Sequence, residues 1–202
     1  MSREVFQIAN RIGIETLQIQ VALQSAPLLA GEKISNLIIV NTCYANSMIE
    51  MFQGTELSVF VLSETEEKVI FLLYQKEELN AYLQQKEVKK FLRRAGYHTM
   101  KLEELLTAVS EKYENYLTGA TGFPHELGVM LGYPIEDVCG FIKNNGKKFL
   151  YTGYWKVYYH LSDKLKIFER FRQAEKAVMD MISNGSNIPD IINFYHNKNV
   201  EI

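Results

Sequence analysis

Two β-rich runs, "LSVFVL" (57–62) and "VIFLLY" (69–74), are joined only by the charged "SETEEK". A connection that short cannot carry the crossover a parallel pair needs, so the two strands must pair antiparallel. The loop lacks the Asn-Gly or Asp-Gly of the tightest hairpins. A third run, "NLIIV" (36–40), is almost wholly apolar, as a strand covered on both faces would be. The stretch "KKFLYTGYWKVYYH" (147–160) reads as one or two further strands around Gly153.

The remaining text is mostly helical. Val5, Ile8, Ile12, Thr16, Ile19 and Leu23 recur at helical spacing over 3–24, with Gly13 a weak point, and Pro27 is expected to stop that helix. "APLLAGEK" then turns into the first strand. Helices are expected over 44–52, over 76–95 with Gly96 as C-cap, and over 102–116. Leu161, Leu165, Phe168, Phe171, Val178 and Met181 form the stripe of an amphipathic C-terminal helix, and a last short one begins near Pro189. The expected fold is α+β: one domain over 1–202, with a mixed or antiparallel sheet of about four to five strands and helices packed on it.

Composition narrows the function classes. With 47% hydrophobic and 12% aromatic residues the chain can bury a core. Its 22 basic and 24 acidic residues nearly cancel, so no global field draws in nucleic acid or anionic membrane. Cys43 and Cys139 have no paired spacing, which points to a reducing compartment. Charges in "MSREVFQIANRIGIE" occupy the place of a signal peptide's apolar run, and no stretch nears a membrane span. The expectation is a cytoplasmic protein without membrane partners. No phosphate-binding glycine loop and no G-x-S-x-G elbow occur, so no cofactor is implied.

The segment "GFPHELGVMLGYPIEDVCGFI" (122–142) admits three readings. As a helix-turn-helix, its second helix would need donors at the front. Those places hold Pro134, Ile135, Glu136 and Asp137, whose carboxylates repel a phosphate backbone and which Lys143 does not offset. As a metal site, "HELGV" lacks the second histidine of H-E-x-x-H, and His98, His160 and His196 show no ligand spacing. As acid/base machinery, His125 at a helix start would favour its neutral, proton-accepting form, with Glu126 beside it. Capping alone explains the spacing: Pro124 and Pro134 suit helix starts, Gly132 and Gly146 helix ends. It leaves His125 without a role.

Other stretches carry weaker signals. "KEVKKFLRR" (86–94) reads as a solvated face balanced by Glu77, Glu78 and Glu87 rather than a phosphate contact. In "TGYWKVYYH" (152–160), alternation puts Trp155, Val157 and Tyr159 on one face and Tyr154, Lys156 and Tyr158 on the other. Tyr154 and Tyr158 flanking Lys156 could stack a base or hold an anion; the alternative is a core or an interface. Cys43, at a strand-to-helix turn, is a thiol nucleophile or a buried filler.

"APLLAGEKISNLI" (26–38), "FPHELGVMLGYPIEDVCGFIKNNG" (123–146), "GYWKVY" (153–158) and "DKLKIFERFRQAEKAV" (163–178), in that order, resemble the bacterial family grouped as domain of unknown function 3793. The resemblance spans nearly the whole chain and implies no activity. It exposes departures. Where the family resemblance leads one to expect His-Cys-Ala-Pro-Thr-Leu-Ala-Gly, this chain has Gln24-Ser25-Ala26-Pro27-Leu28-Leu29-Ala30-Gly31. Tyr154 stands where a cysteine is usual, and Ala174 and Val178 occupy the cysteine-bearing region of the last long helix. If those thiols act, Ser25 is the replacement and His125 the base that would activate it.

The expected site therefore joins the Ser25–Gly31 turn to the Phe123–Glu126 helix start. In it Ser25, His125 and Glu126 are catalytic, and Lys33, Lys156, Tyr154 and Tyr158 bind a small-molecule ligand. The alternative is a non-catalytic interaction module using the 122–146 helices or the 152–160 aromatic strand, including a homodimer that buries the latter.

Overall fold

A computed structural model describes residues 17–196. Most of the turns of the N-terminal helical pattern lie outside these residues. Helix α1 spans Leu17–Leu29 and contains Pro27, which does not stop it as expected. Proline removes one helical N–H, and in the last turn that loss is small against the burial of Leu28 and Leu29. The helix ends at Gly31, whose φ of +74° turns the chain, while the Pro27 carbonyl accepts from the Glu32 and Lys33 N–H groups at 2.8 and 3.0 Å.

Strands β1 (Ser35–Asn41), β2 (Leu57–Glu64) and β3 (Lys68–Gln75) form an antiparallel sheet in the order β1-β3-β2. The hairpin pairs β2 with β3, with a bulge at Leu62 between Val61 and Ser63. The strand covered on both faces is β3, not "NLIIV". Its Val69, Phe71 and Leu73 join one buried cluster, and Leu72 and Tyr74 join another on the opposite face. As an edge strand β1 leaves Ile39 46% exposed.

The first cluster packs the sheet against α1 and α2 (Ala45–Phe52), together with α8 (Leu161–Ser183) and α9 (Ile188–His196). The second packs it against α3 (Lys76–Leu83), α4 (Lys86–Arg94) and α5 (Leu102–Leu117), and against the corner formed by α6 (Leu127–Met130) and α7 (Ile135–Lys143). The expected 76–95 helix breaks in two at Gln84 and Gln85, and Gly96, at φ +91°, caps its end as expected. Two short strands, β4 (Tyr151–Thr152) and β5 (Lys156–Val157), make a separate antiparallel ribbon, so the five strands divide between two sheets.

That ribbon lies on α8 through a third cluster of Trp155, Val157, Phe168 and Phe171. Gly153 is required there, because a Cβ would sit 2.4 Å from the Phe168 ring. The buried stripe of α8 differs from the expected one. Leu165 is 37% exposed, while Lys164 and Glu175 are buried, each with a partner: Lys164 with Glu136 and Glu175 with Tyr154. No helix among the described residues is long and apolar enough to cross a membrane.

Candidate functional site

Pro124 to Tyr133 form the corner that shapes the site. Tight turns at Pro124 and His125 lead into α6, which begins at Leu127 and is only four residues long. Gly132, at φ +69°, ends it, with the Tyr133 N–H donating to the Gly128 carbonyl at 3.0 Å. A side chain at Gly132 would also collide with Ile34, at 2.4 Å. Pro134 is the N-cap of α7.

The front of α7 faces the protein interior. The Asp137 carboxylate is buried and accepts from Trp155 Nε1 at 2.8 Å, the Tyr158 N–H at 2.8 Å and the Tyr159 N–H at 3.2 Å. Glu136 pairs with Lys164 at 2.8 Å, and that neighbour holds its carboxyl below the usual range against the opposing desolvation, the largest single influence on it. Both acids at the place of a DNA-reading surface are thus committed to internal contacts. The remainder of the ribbon closes onto α7: the Tyr158 ring lies where a Cβ at Gly140 would come within 2.6 Å.

Between this corner and the ribbon lies a cavity of about 260 Å³. Tyr133 and Trp155 stack on one another with centroids 5.3 Å apart and form one wall. His125 stands between Phe123 and Phe141, at 5.6 and 5.5 Å. Lys156 borders the cavity, its Nζ 5.5 Å from the Phe141 centroid and donating to the Gly146 carbonyl at 2.8 Å. Tyr154 also borders the cavity, and its hydroxyl donates to Glu175 at 2.8 Å. Desolvation, then the Glu175 carboxylate, push that phenol above its ordinary range.

A second cavity, about 360 Å³, shares Leu131, Tyr133 and Trp155 with the first and is also bordered by Lys33, Glu32, Tyr82 and Arg170. Lys33 as a residue keeps part of its surface exposed, yet protein atoms crowd its amine, the local quantity that governs its proton. Desolvation lowers its pKa to about 8.

The expected site residues therefore divide. His125, Lys156 and Tyr154 share the first cavity, and Lys33 lines the second. Ser25 lines neither: it is fully buried in α1, not in a turn, and its Oγ accepts from Asn36 Nδ2 at 3.2 Å. Glu126 is buried and pairs with Lys112 at 2.9 Å, tying α5 to the corner. Tyr158 is buried against α7 and borders neither cavity. In the aromatic strand, expected to close a core or an interface, Trp155, Val157 and Tyr158 are buried within the chain and Tyr159 is exposed. Both cysteines are free and exposed, so Cys43 is no buried filler, and desolvation raises the Cys139 thiol pKa, away from ready thiolate chemistry. Among the described residues no group of three or more His, Cys, Asp or Glu could hold a metal.

Asp137, Asn36 and Phe141 carry much of this arrangement and were not singled out for these roles by the sequence. Asp137 read as a helix-front acid, and only its spacing from Trp155 in the folded chain reveals an organising group.

A family model described as "Protein of unknown function (DUF3793)" matches residues 21–192. No curated protein and no solved structure matches the chain.

Proposed function

We infer that this chain, which belongs to the DUF3793 family, binds a small planar molecule bearing an anionic group in the aromatic cavity at the helix corner. The observation that carries the reading is the cavity's wall chemistry. Tyr133, Trp155, Phe141 and Phe123 present ring faces and edges, which favour a flat apolar body. The polar groups offered to a ligand are His125, a potential donor, and Lys156, a cation that gives one of its three hydrogens to the Gly146 carbonyl and has no carboxylate partner among the described residues. Asp137 also borders the space, but both its oxygens are occupied by Trp155, Tyr158 and Tyr159, so it offers little repulsion that is not already balanced by donors. The reading is of binding, without a serine nucleophile, because Ser25 is sealed off from the cavity.

Isothermal titration with 1-naphthalenesulfonate, and with neutral 2-naphthol as comparator, tests it. The sulfonate should bind, Lys156→Met should weaken it by about tenfold, as loss of one charge-assisted contact does, and the naphthol should be insensitive to that change. His125→Trp, which fills the space, should abolish both. Absence of binding to the folded protein, or unchanged affinity in His125→Trp, overturns the reading.

A further inference from the structure

The second cavity differs in kind from the first. Its distinctive group is the Lys33 amine, which donates to Asn36 Oδ1 at 2.6 Å and stands 5.7 Å from the Tyr133 ring centroid. Asn36 is itself fixed, its Nδ2 donating to the Gln24 and Leu37 carbonyls at 2.8 and 2.9 Å. Its oxygen is therefore held toward the amine. Lys33 forms no ion pair among the described residues. Of the acids bordering the space, Glu32 is engaged by Arg170 at 2.9 Å and Glu78 is exposed on α3. Tyr82 and Tyr133 complete the titratable groups around it, and the Tyr82 hydroxyl donates to the Tyr133 carbonyl.

We propose that Lys33 is a nucleophilic amine and that this cavity takes a small aldehyde, held reversibly as an imine. A neutral acceptor and an aromatic face stabilise the ammonium far less than a carboxylate would, so the geometry leaves the amine ready to give up its proton. The lone pair of the neutral amine attacks the carbonyl carbon, forming a C–N bond as the C=O π pair moves to oxygen. The two nitrogen protons pass to that oxygen, which leaves as water, and the C=N bond closes. No oxidant or reductant is consumed. With a pKa of about 8 in place of 10.5, Lys33 carries roughly 300-fold more neutral amine at pH 7 than an ordinary lysine.

Reductive alkylation of the full chain with propanal and sodium cyanoborohydride, followed lysine by lysine by peptide mass, tests this. At pH 7 Lys33 should react about tenfold or more faster than the exposed Lys86, with a rate that levels off above about pH 8. Ala81→Trp, which places a large ring on the cavity wall, should slow Lys33 and leave Lys86 unchanged. A Lys33 rate no greater than that of Lys86, or one still climbing through pH 10, overturns the proposal. So does an unaltered Lys33 rate in a folded Ala81→Trp chain. If that variant does not fold, the comparison within the wild-type chain decides.

Discussion

The Asp137 carboxylate and the Trp155 indole, 18 residues apart in the chain, meet through a 2.8 Å hydrogen bond in the buried seam between α7 and the two-stranded ribbon. With the backbone N–H groups of Tyr158 and Tyr159 on the other oxygen, one side chain fixes both the ribbon and the wall shared by the two cavities. Asp137→Asn puts an amide donor against at least one of these donors and removes the charge. The expected cost is about 2–3 kcal/mol in urea unfolding. A variant as stable as the wild type would mean the seam is held by packing alone.

Gly153 and Gly140 test that packing directly. Ala at either position meets an aromatic ring, Phe168 at 2.4 Å or Tyr158 at 2.6 Å. Each substitution should cost roughly 1–3 kcal/mol by overpacking. Phe168→Leu combined with Gly153→Ala should recover part of that loss relative to the sum of the two single changes, as read in a double-mutant cycle.

Glu126 separates structure from binding. Its partner Lys112 also donates to the Ala95 carbonyl at 2.8 Å and lies 4.1 Å from the Tyr97 ring centroid. Glu126→Ala leaves that ammonium without its carboxylate and should destabilise by about 2 kcal/mol, less than for a fully buried pair because Lys112 reaches solvent. Naphthalenesulfonate affinity should stay within about twofold of wild type, since a change of that size is a few tenths of a kcal/mol. A large loss of affinity would return Glu126 to the site.

Ser25→Ala should be nearly silent. The Oγ accepts one bond from an asparagine amide that also donates to Gln24 and Leu37. Its removal is expected to cost about 1 kcal/mol or less in thermal unfolding, without change in the binding of either probe. Loss of binding with the fold intact would contradict the separation of Ser25 from both cavities.

Lys33 gives stability a pH dependence with a definite sign. Folding lowers its pKa from 10.5 to about 8, so the unfolded chain holds the proton more tightly. Charged Lys33 therefore penalises the fold below about pH 8, and the penalty fades as pH rises from 8 toward 10.5. Compared with Lys33→Met, the wild type should gain on the order of 2 kcal/mol between pH 7 and pH 10 in urea unfolding. Parallel profiles for the two proteins would show that the amine is not desolvated.

The legible parts of this molecule are local ones. The β2–β3 hairpin, the Gly96 and Gly132 turns and the Pro134 start of α7 are set by neighbours a few residues away, and each lies where the residue pattern put it. Pro27 misled because the penalty for an interior proline depends on how many helical bonds follow it, and here the helix ends two residues later. The site was less legible. Lys33 and Tyr133 stand a hundred positions apart, and Glu32 reaches Arg170 across 138. His125 and Lys156 border a hollow that the Ser25–Gly31 turn does not reach, and nothing in the spacing of Ser25 told that its hydroxyl would be turned into α1's packing. A buried charge such as Lys164 looks like a surface residue until Glu136, 28 positions away, is placed beside it.

The single indole of the chain borders two hollows and is tethered on one edge. An occupant of either hollow that tilts this ring would strain the same tether. Intrinsic emission of Trp155 would therefore register an arrival in either hollow.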